Sequence, residues 1–279
     1  MKSKLSVLLL SAVLFTTSGC GKNNIFSWAH SAGSSSGISA LSTDASQALQ
    51  NKDFAKALEY YSKILDSDPN NSEAIYGYSA AKLADSGMDI SRLVANLVRQ
   101  NNSPAYNRLA PAIAFAASSS PSSTATLLPD KIITNRVKIR AAVDDVLNSR
   151  HLLKIIKGMA DGKINPESAD INLNIAFCLV LRAGLKVYDS GSIQLNDDYS
   201  VTVNSQNMSV ANDAGRDIAS AYQRLLIVAV KLGFIDNNGK VIKESSITNI
   251  KDDVNKLFAD LKSKITGFSV NIDHDYLLD

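Results

Sequence analysis

The stretch that decides the fold is residues 54–83, FAKALEYYSKILDSDPNNSEAIYGYSAAKL. In its first half, apolar side chains recur every three or four residues, which is the spacing of one face of an α-helix. Pro69 ends this helix because proline lacks a backbone N–H and disfavours helical backbone at the residue before it. A second helical pattern opens at Ser72 and ends at Gly87. The stretch therefore predicts two consecutive helices joined by a short turn.

A shorter helical pattern begins at about Ser42, and with it the segment from Ala45 to Leu83 resembles a tetratricopeptide repeat. That repeat is a helix-turn-helix unit of 34 residues. With Pro69 as its closing proline, Ala57 falls at the small position where the paired helices approach most closely. Tyr61 then stands at the aromatic position of the repeat. The resemblance implies a pair of closely packed antiparallel helices.

The chain departs from the repeat pattern at three positions. Leu41 stands in place of tryptophan, Ala45 in place of glycine and Ile64 in place of a small alanine, and the match stops after Gly87. Repeat units bury their apolar faces by stacking, so three or more are normally needed. We therefore expect a mainly α fold, a TPR-like α-α superhelix built partly from degenerate repeats. A plain helix pair without repeat geometry is the alternative.

Further helical patterns extend along the rest of the chain. They cover Ile90–Arg99, Pro104–Ala117, Ile132–Met159, Ser168–Tyr188, Ser209–Leu232 and Ile247–Ile265. Residues 118–129, rich in serine and proline, predict a loop. This loop would separate a TPR-like region, 42–117, from a helical C-terminal region, 130–279.

Two short interruptions in the C-terminal region predict β-hairpins. Ser192–Leu195 and Tyr199–Val203 alternate apolar and polar residues on either side of a polar turn. Asn238-Gly239, between Ile235 and Val241, is a dipeptide favoured in two-residue hairpin turns. We expect one or two short hairpins here.

The N-terminus carries three segments of different chemistry. Lys2 and Lys4 are followed by an apolar run from Leu5 to Phe15, and small residues then lead to Cys20. A helix of that apolar length spans roughly 16 Å, about half of the ~30 Å hydrocarbon core of a bilayer. Residues 1–19 are therefore predicted to be a signal peptide and not a membrane-spanning anchor.

Cys20 directly follows Ser18 and Gly19, and this arrangement resembles the lipobox of bacterial lipoproteins. Thr17 departs from it, since a leucine or another large aliphatic residue is usual there. The resemblance implies that Cys20 becomes the first mature residue and carries palmitate or related acyl chains, which hold a protein stably on a bilayer. The alternative is an ordinary signal peptide with Cys20 as a chance small residue. Residues 20–41, rich in serine, glycine and asparagine, predict a flexible tether.

Removal of residues 1–19 changes the charge of the chain. The whole sequence has 29 basic and 27 acidic side chains, and loss of Lys2 and Lys4 makes the mature chain neutral. A neutral chain gives no reason to expect nucleic acid as a partner. Gly21, where an aspartate would signal inner-membrane retention in enterobacteria, favours the outer membrane of the cell envelope. Cys178 lies in an apolar run and is predicted to be a small core residue.

No catalytic, cofactor-binding or metal-binding set is predicted. Reading Asp236–Gly239 as an EF-hand puts Phe234 where the first carboxylate ligand must stand. Asp273-His274-Asp275 offers three metal donors, but neighbours in an extended segment point to opposite sides, and a solvated tail is expected. With only three histidines in the sequence, neither a nucleophile–base pair nor a zinc-binding helix motif is predicted. The apolar stretch 171–185 carries Arg182 and is predicted to be a buried helix and not a membrane span.

These observations predict a non-enzymatic, membrane-anchored lipoprotein that acts as a protein–protein interaction scaffold in the cell envelope. Stacked helix pairs build concave surfaces that hold a partner's peptide. The tyrosines of the repeat-like stretch, Tyr60, Tyr61, Tyr76 and Tyr78, are the candidate lining of such a groove, although packing would also explain several of them. The alternative is a small-molecule-binding accessory lipoprotein of a solute transporter, which a deep apolar pocket between the two halves would favour.

Overall fold

The computed structural model describes residues 37–88, 130–195, 200–231, 233–236, 240–242 and 250–279. Within these residues the protein is mainly helical, as predicted. The helices are α1 (Ile38–Gln50), α2 (Phe54–Ser67), α3 (Ser72–Asp85), α4 (Asp130–Thr134), α5 (Arg136–Val146), α6 (Leu152–Ile156), α7 (Ala169–Ser190), α8 (Met208–Lys231) and α9 (Ile250–Lys264). The two strands are β1 (Ile193–Leu195) and β2 (Val201–Val203).

Side chains at the helix starts explain where α2 and α3 begin. The Asp53 carboxylate accepts the Lys56 N–H at 3.3 Å, and the Asn71 amide oxygen accepts the Ala74 N–H at 3.0 Å. Each bond satisfies one of the backbone donors that a helix leaves free at its N-terminus. The first helix, α1, begins at Ile38, four residues earlier than the predicted start at about Ser42. Its first residues therefore belong to the segment that was predicted to be a tether.

The helices α1, α2 and α3 pack in succession, α1 on α2 and α2 on α3. Ala57 and Tyr61, both on α2, are fully buried between these helices. Gly77 on α3 is what makes room for the tyrosine, since a Cβ at that position would lie 2.2 Å from Tyr61 Cζ. The helix pair predicted over this stretch is therefore present, and its close approach depends on a small residue in α3.

The segment predicted as one helix over Ile132–Met159 is broken into α4, α5 and α6. Asn148 lies in the break, where its side-chain oxygen accepts the Arg150 N–H at 2.8 Å and its carbonyl accepts the His151 N–H at 3.2 Å. Asparagine competes with the helix in this way because its side chain bonds nearby backbone groups in turns. The prediction of a single continuous helix was wrong at this point.

Helices α7 and α8 form the longest packed pair of the described residues. Small residues line the buried side of α8, namely Ala211, Ala214, Gly215, Ala219 and Ala221. Small side chains let α8 approach its neighbours closely, and at Gly215 these neighbours are Phe268 and Val270. Among the described residues, α7 is the one helix whose length and composition could cross a membrane, and half of its apolar window is buried inside the protein.

Strands β1 and β2 form a two-stranded antiparallel sheet in which Ile193 pairs with Val203 and Leu195 with Val201. The predicted first hairpin is thus confirmed in its strands, while its turn lies outside the described residues. At the predicted second hairpin, Ile235 and Val241 form a single antiparallel bridge.

Residues 266–279, which we call the C-terminal strap, include Asp273-His274-Asp275, which was predicted to lie in a solvated tail. Asp273 and His274 are exposed, but the strap as a whole packs on the protein. Phe268, Ile272 and Leu277 are buried in the main hydrophobic core. The strap has no regular secondary structure but runs against α8 and α9. The strap differs from the prediction because its apolar side chains are buried. The local pattern of an acidic terminal segment does not show that burial.

The N-terminal helices and the C-terminal region share one core. Helix α3 packs directly on α5 and α6, and buried residues from α1 to the strap belong to a single hydrophobic cluster. The helices predicted over Ile90–Arg99 and Pro104–Ala117, and the loop 118–129, lie outside the described residues, as do the signal peptide and Cys20.

Candidate interaction surface

The four tyrosines predicted to line a groove have different surroundings. Tyr61 is fully buried and Tyr76 is 8% exposed, whereas Tyr60 and Tyr78 are half-buried. Tyr61 faces the α3 backbone at Gly77, and burial is the main reason why its pKa is raised. The four rings therefore do not form one open surface, and the tyrosine groove expected from the sequence is corrected on this point.

Tyr76 lies between α3 and α7. Its hydroxyl is 3.5 Å from Asn174 Nδ2, and Asp170 also faces it. Burial raises the pKa of Tyr76 far above its ordinary value, and the negative charge of Asp170 adds to this. The phenol is thus held neutral as a hydrogen-bonding group inside the protein.

Tyr78 packs against a histidine of the C-terminal region. Its ring is stacked on the imidazole of His151, with centroids 4.6 Å apart. His151 is 4% exposed, its Nδ1 lies 2.9 Å from Asn148 Oδ1, and Asp145 Oδ1 is 3.7 Å away. Burial lowers the pKa of His151 and outweighs the opposing charge of Asp145. The stack therefore holds a neutral imidazole at the junction of the two regions.

Polar contacts surround this junction on both sides. Lys82 on α3 lies 3.8 Å from Asp145 on α5, and Lys154 Nζ donates to the Pro69 carbonyl at 2.8 Å. The Asp161 N–H also donates to the Asn70 carbonyl, at 2.9 Å. The C-terminal region thus contacts α3 at two places, through Asn174 at Tyr76 and through His151 at Tyr78.

Tyr60 is half-buried and packs against the edge of the main core. Lys63 Nζ lies 5.7 Å from the centroid of its ring, within the range of a cation–π contact. Lys63 also pairs with Glu59 at 2.6 Å. Exposed pairs of this kind contribute little to stability, so these side chains are free to make other contacts at small energetic cost.

A buried acidic residue on α8 was not foreseen from the sequence. Asp217, 4% exposed, accepts Arg182 Nε at 3.0 Å and Lys186 Nζ at 3.0 Å, both from α7. Burial alone would lower the pKa of Arg182, but its bonds to Asp217 outweigh this and raise it. The sequence signal that could have identified Asp217 was a single acidic residue among the small residues on the buried side of α8. Because Asp217 is fully paired, we assign it a structural role.

The remaining reactive groups of the described residues give no sign of a catalytic centre. Cys178 is fully buried, and burial raises its pKa to about 12, so its thiol is protonated at neutral pH. No group of three metal-ligating side chains occurs within the part of the chain that the structure describes.

Comparison with known proteins returned no match, since no family model, no curated protein and no solved structure is similar to this chain at a significant level.

Proposed function

We propose that the protein is a bacterial lipoprotein, anchored in the cell envelope through acyl chains on Cys20, that serves as a non-enzymatic protein–protein interaction scaffold. The observation that carries the proposal is the order of segments at the N-terminus: positive charge, a short apolar run, then Ser18-Gly19 directly before Cys20. Gly21 favours the outer membrane.

The helix spacing supports a TPR-like unit at the start of the folded part. Helix α1 begins at residue 38 and α3 at residue 72, so the starts of the two are 34 residues apart, which is the length of the repeat. Ala57, assigned to the close-approach position, is fully buried, and so is Tyr61 at the aromatic position. These features favour a repeat unit over a plain helix pair.

The surface that we assign to partner binding is the outer side of α2 around Tyr60. Tyr76 is buried and Tyr78 stacks on His151, whereas the half-buried Tyr60 lies beside the exposed Lys63 and Glu59. Tyrosine is enriched at interaction surfaces because it offers apolar area and a polar tip.

Metabolic labelling with an alkyne fatty acid tests the anchor. The wild-type chain should carry label and partition into detergent, and Cys20→Ala should lose both. Cys178→Ala, which removes the buried cysteine, is the matched control and should keep the label. Label that persists in Cys20→Ala would exclude the lipoprotein assignment.

Site-specific photocrosslinking tests the scaffold. A photoreactive phenylalanine in place of Tyr60 should give a discrete adduct with an envelope protein in intact cells. The same residue in place of Tyr188, which is 37% exposed near the end of α7, is the control for non-specific contact. If position 60 gives the same adducts as position 188, or none, the assigned surface is wrong.

A further inference from the structure

Two amide side chains hold the backbone at the start of the C-terminal strap in the same way. Gln206 donates to the Lys264 carbonyl at 2.7 Å and accepts the Thr266 N–H at 3.4 Å. Asn212 donates to the Gly267 carbonyl at 3.2 Å and accepts the Ser269 N–H at 3.0 Å. Each amide thus brackets the carbonyl of one residue and the N–H of the residue two positions later. Gln206 thus holds the turn that follows α9, and Asn212 holds the backbone on either side of Phe268 through contacts that do not depend on side chains.

The side chains of the strap alternate in burial beyond this point. Phe268 and Ile272 are buried and Val270 is half-buried, while the residues between them are exposed. The closest approach is at Gly215 on α8, where a Cβ would lie 2.9 Å from Val270 Cγ2 and 3.0 Å from Phe268 Cε2. On the opposite side, Phe268 meets the Phe258 ring of α9 edge-on at 5.4 Å. The strap therefore lies in a groove between α8 and α9, with Gly215 as its floor.

Charged and polar groups hold the later part of the strap. Gln223 donates to the Ile272 carbonyl at 2.8 Å, and Lys251 pairs with Asp273 at 2.9 Å. Arg224, itself 5% exposed, forms a buried ion pair with Asp275. Truncation of either member of such a pair is costly because it leaves an uncompensated charge inside the protein.

We propose that the α8–α9 groove is a binding site for extended segments of the type Phe-x-Val-x-Ile-x-x-Asp, and that in trans it takes the C-terminal strap of a second copy of this chain. The contacts of the strap beyond Gly267 would re-form between copies because the groove and the strap are unchanged, whereas Gln206 would keep its bonds to Lys264 and Thr266 within its own chain. Exchange of identical elements between copies is a low-cost route to a dimer. The contacts are the same in both forms, so the free-energy difference comes from association and from the conformation of the hinge. This inference does not depend on the lipid anchor or on the Tyr60 surface.

The hinge between α9 and the strap is Gly267, whose φ is +85°. A side chain there would be strained by this backbone conformation, and its Cβ would also lie 2.3 Å from the sulfur of Met208 on α8. Both constraints act on the closed, intrachain position of the strap. A straightened hinge relieves them, so a substitution at Gly267 should favour exchange between copies.

The first experiment measures the dimer fraction of the full chain by light scattering across a concentration series. Gly267→Ala should raise the dimer fraction about tenfold over wild type. Gly158→Ala is the matched control: Gly158 has a φ of +67° with open space around its Cβ position, and it lies far from the strap in sequence. A folded Gly267→Ala chain that stays as monomeric as the control contradicts strap exchange.

A second experiment uses the wild-type fold and a fluorescent peptide of residues 264–279. The peptide should bind the full chain with one site per copy and dissociate the Gly267→Ala dimer. Asp275→Ala in the full chain weakens the chain's own strap at Arg224 but leaves the groove unchanged, so the natural peptide should bind about tenfold more tightly. A peptide with Asp275→Ala should bind less tightly than the natural one. A dimer that the peptide leaves intact would show that copies meet through another surface, and no peptide binding at all would overturn the site.

Discussion

The ring of Tyr78 stacks on the imidazole of His151 at 4.6 Å, and this contact joins the repeat-like helices to the C-terminal region. Neither residue is remarkable in its own segment, since Tyr78 lies in an amphipathic helix and His151 follows a turn. Their contact covers one side of α3, whereas the half-buried Tyr60 on α2 has Lys63 and Glu59 of its own helix as neighbours. The junction therefore decides which surface a partner can reach.

The first prediction concerns pH. The pKa of His151 is lowered in the folded protein, chiefly by burial, so the unfolded chain binds the proton more readily. The free energy of unfolding should therefore fall as the pH drops through the ordinary histidine range, near 6.5, and be fully restored above it. Urea unfolding between pH 8 and pH 5 measures this.

His151→Gln provides the control for that measurement. It keeps a polar side chain beside Asn148 but cannot titrate, so the fall in stability over this pH range should become smaller. If the wild-type chain and this variant show the same pH profile, His151 is not the group responsible.

The second prediction concerns the contact of Gly77 with Tyr61. Gly77→Ala places a methyl group 2.2 Å from Tyr61 Cζ, within a fully buried site, and should destabilise the protein by about 1–3 kcal/mol. Thermal or urea unfolding measures the loss. In a Tyr61→Leu background the same change should cost clearly less, because the clashing ring atoms are absent. Equal costs in the two backgrounds would place the strain elsewhere.

The third prediction concerns Asp217. Asp217→Asn removes the negative charge that compensates Arg182 and Lys186, and it should destabilise the protein by about 3–5 kcal/mol. Asp189→Asn is the matched control, because Asp189 pairs with Arg140 in a more exposed position and should cost at most about 1 kcal/mol. Similar losses for the two variants in urea unfolding would show that burial of Asp217 does not set its importance.

The fourth prediction concerns the start of α3. Asn71→Ala removes the side-chain acceptor of the Ala74 N–H and should cost about 1 kcal/mol. Asn71→Ser keeps a side-chain acceptor at the same place without adding a second carboxylate beside Asp68, and it should retain most of the stability. Urea unfolding of the two variants distinguishes a capping role from general packing at this buried position. If packing alone matters, both substitutions should lower the free energy of unfolding equally.

Local pattern predicted much of the helical architecture. The helices α7 and α8 differ from the predicted segments by only one or two residues at their ends, because amphipathic periodicity and helix-ending glycines act over short distances. The break at Asn148 was missed because a single asparagine in a helical pattern changes the periodicity little. The burial of the C-terminal strap was missed because its apolar residues find partners on α8 and α9, distant in sequence.

The candidate interaction surface depended on tertiary contacts more than the helix boundaries did. Tyr76 and Asn174, which meet across α3 and α7, are 98 residues apart in sequence. Helical spacing shows that a tyrosine lies on one face of its helix, but it does not show which later segment will cover that face. For this reason four tyrosines of similar appearance in the sequence separate into two buried and two half-buried side chains.

The sequence by itself determined the helical class, the turns at Pro69 and Asn71, the β1–β2 pairing and the prediction of a lipidated N-terminus at Cys20, since each follows from neighbouring residues and their spacing. Only the tertiary structure decided that the C-terminal region packs on α3 and that residues 266–279 fill a groove. It also decided the buried ion pairs, Asp217 with Arg182 and Lys186, and Arg224 with Asp275. The physical reason is that burial depends on what the rest of the chain brings to a surface. A short segment does not contain that information.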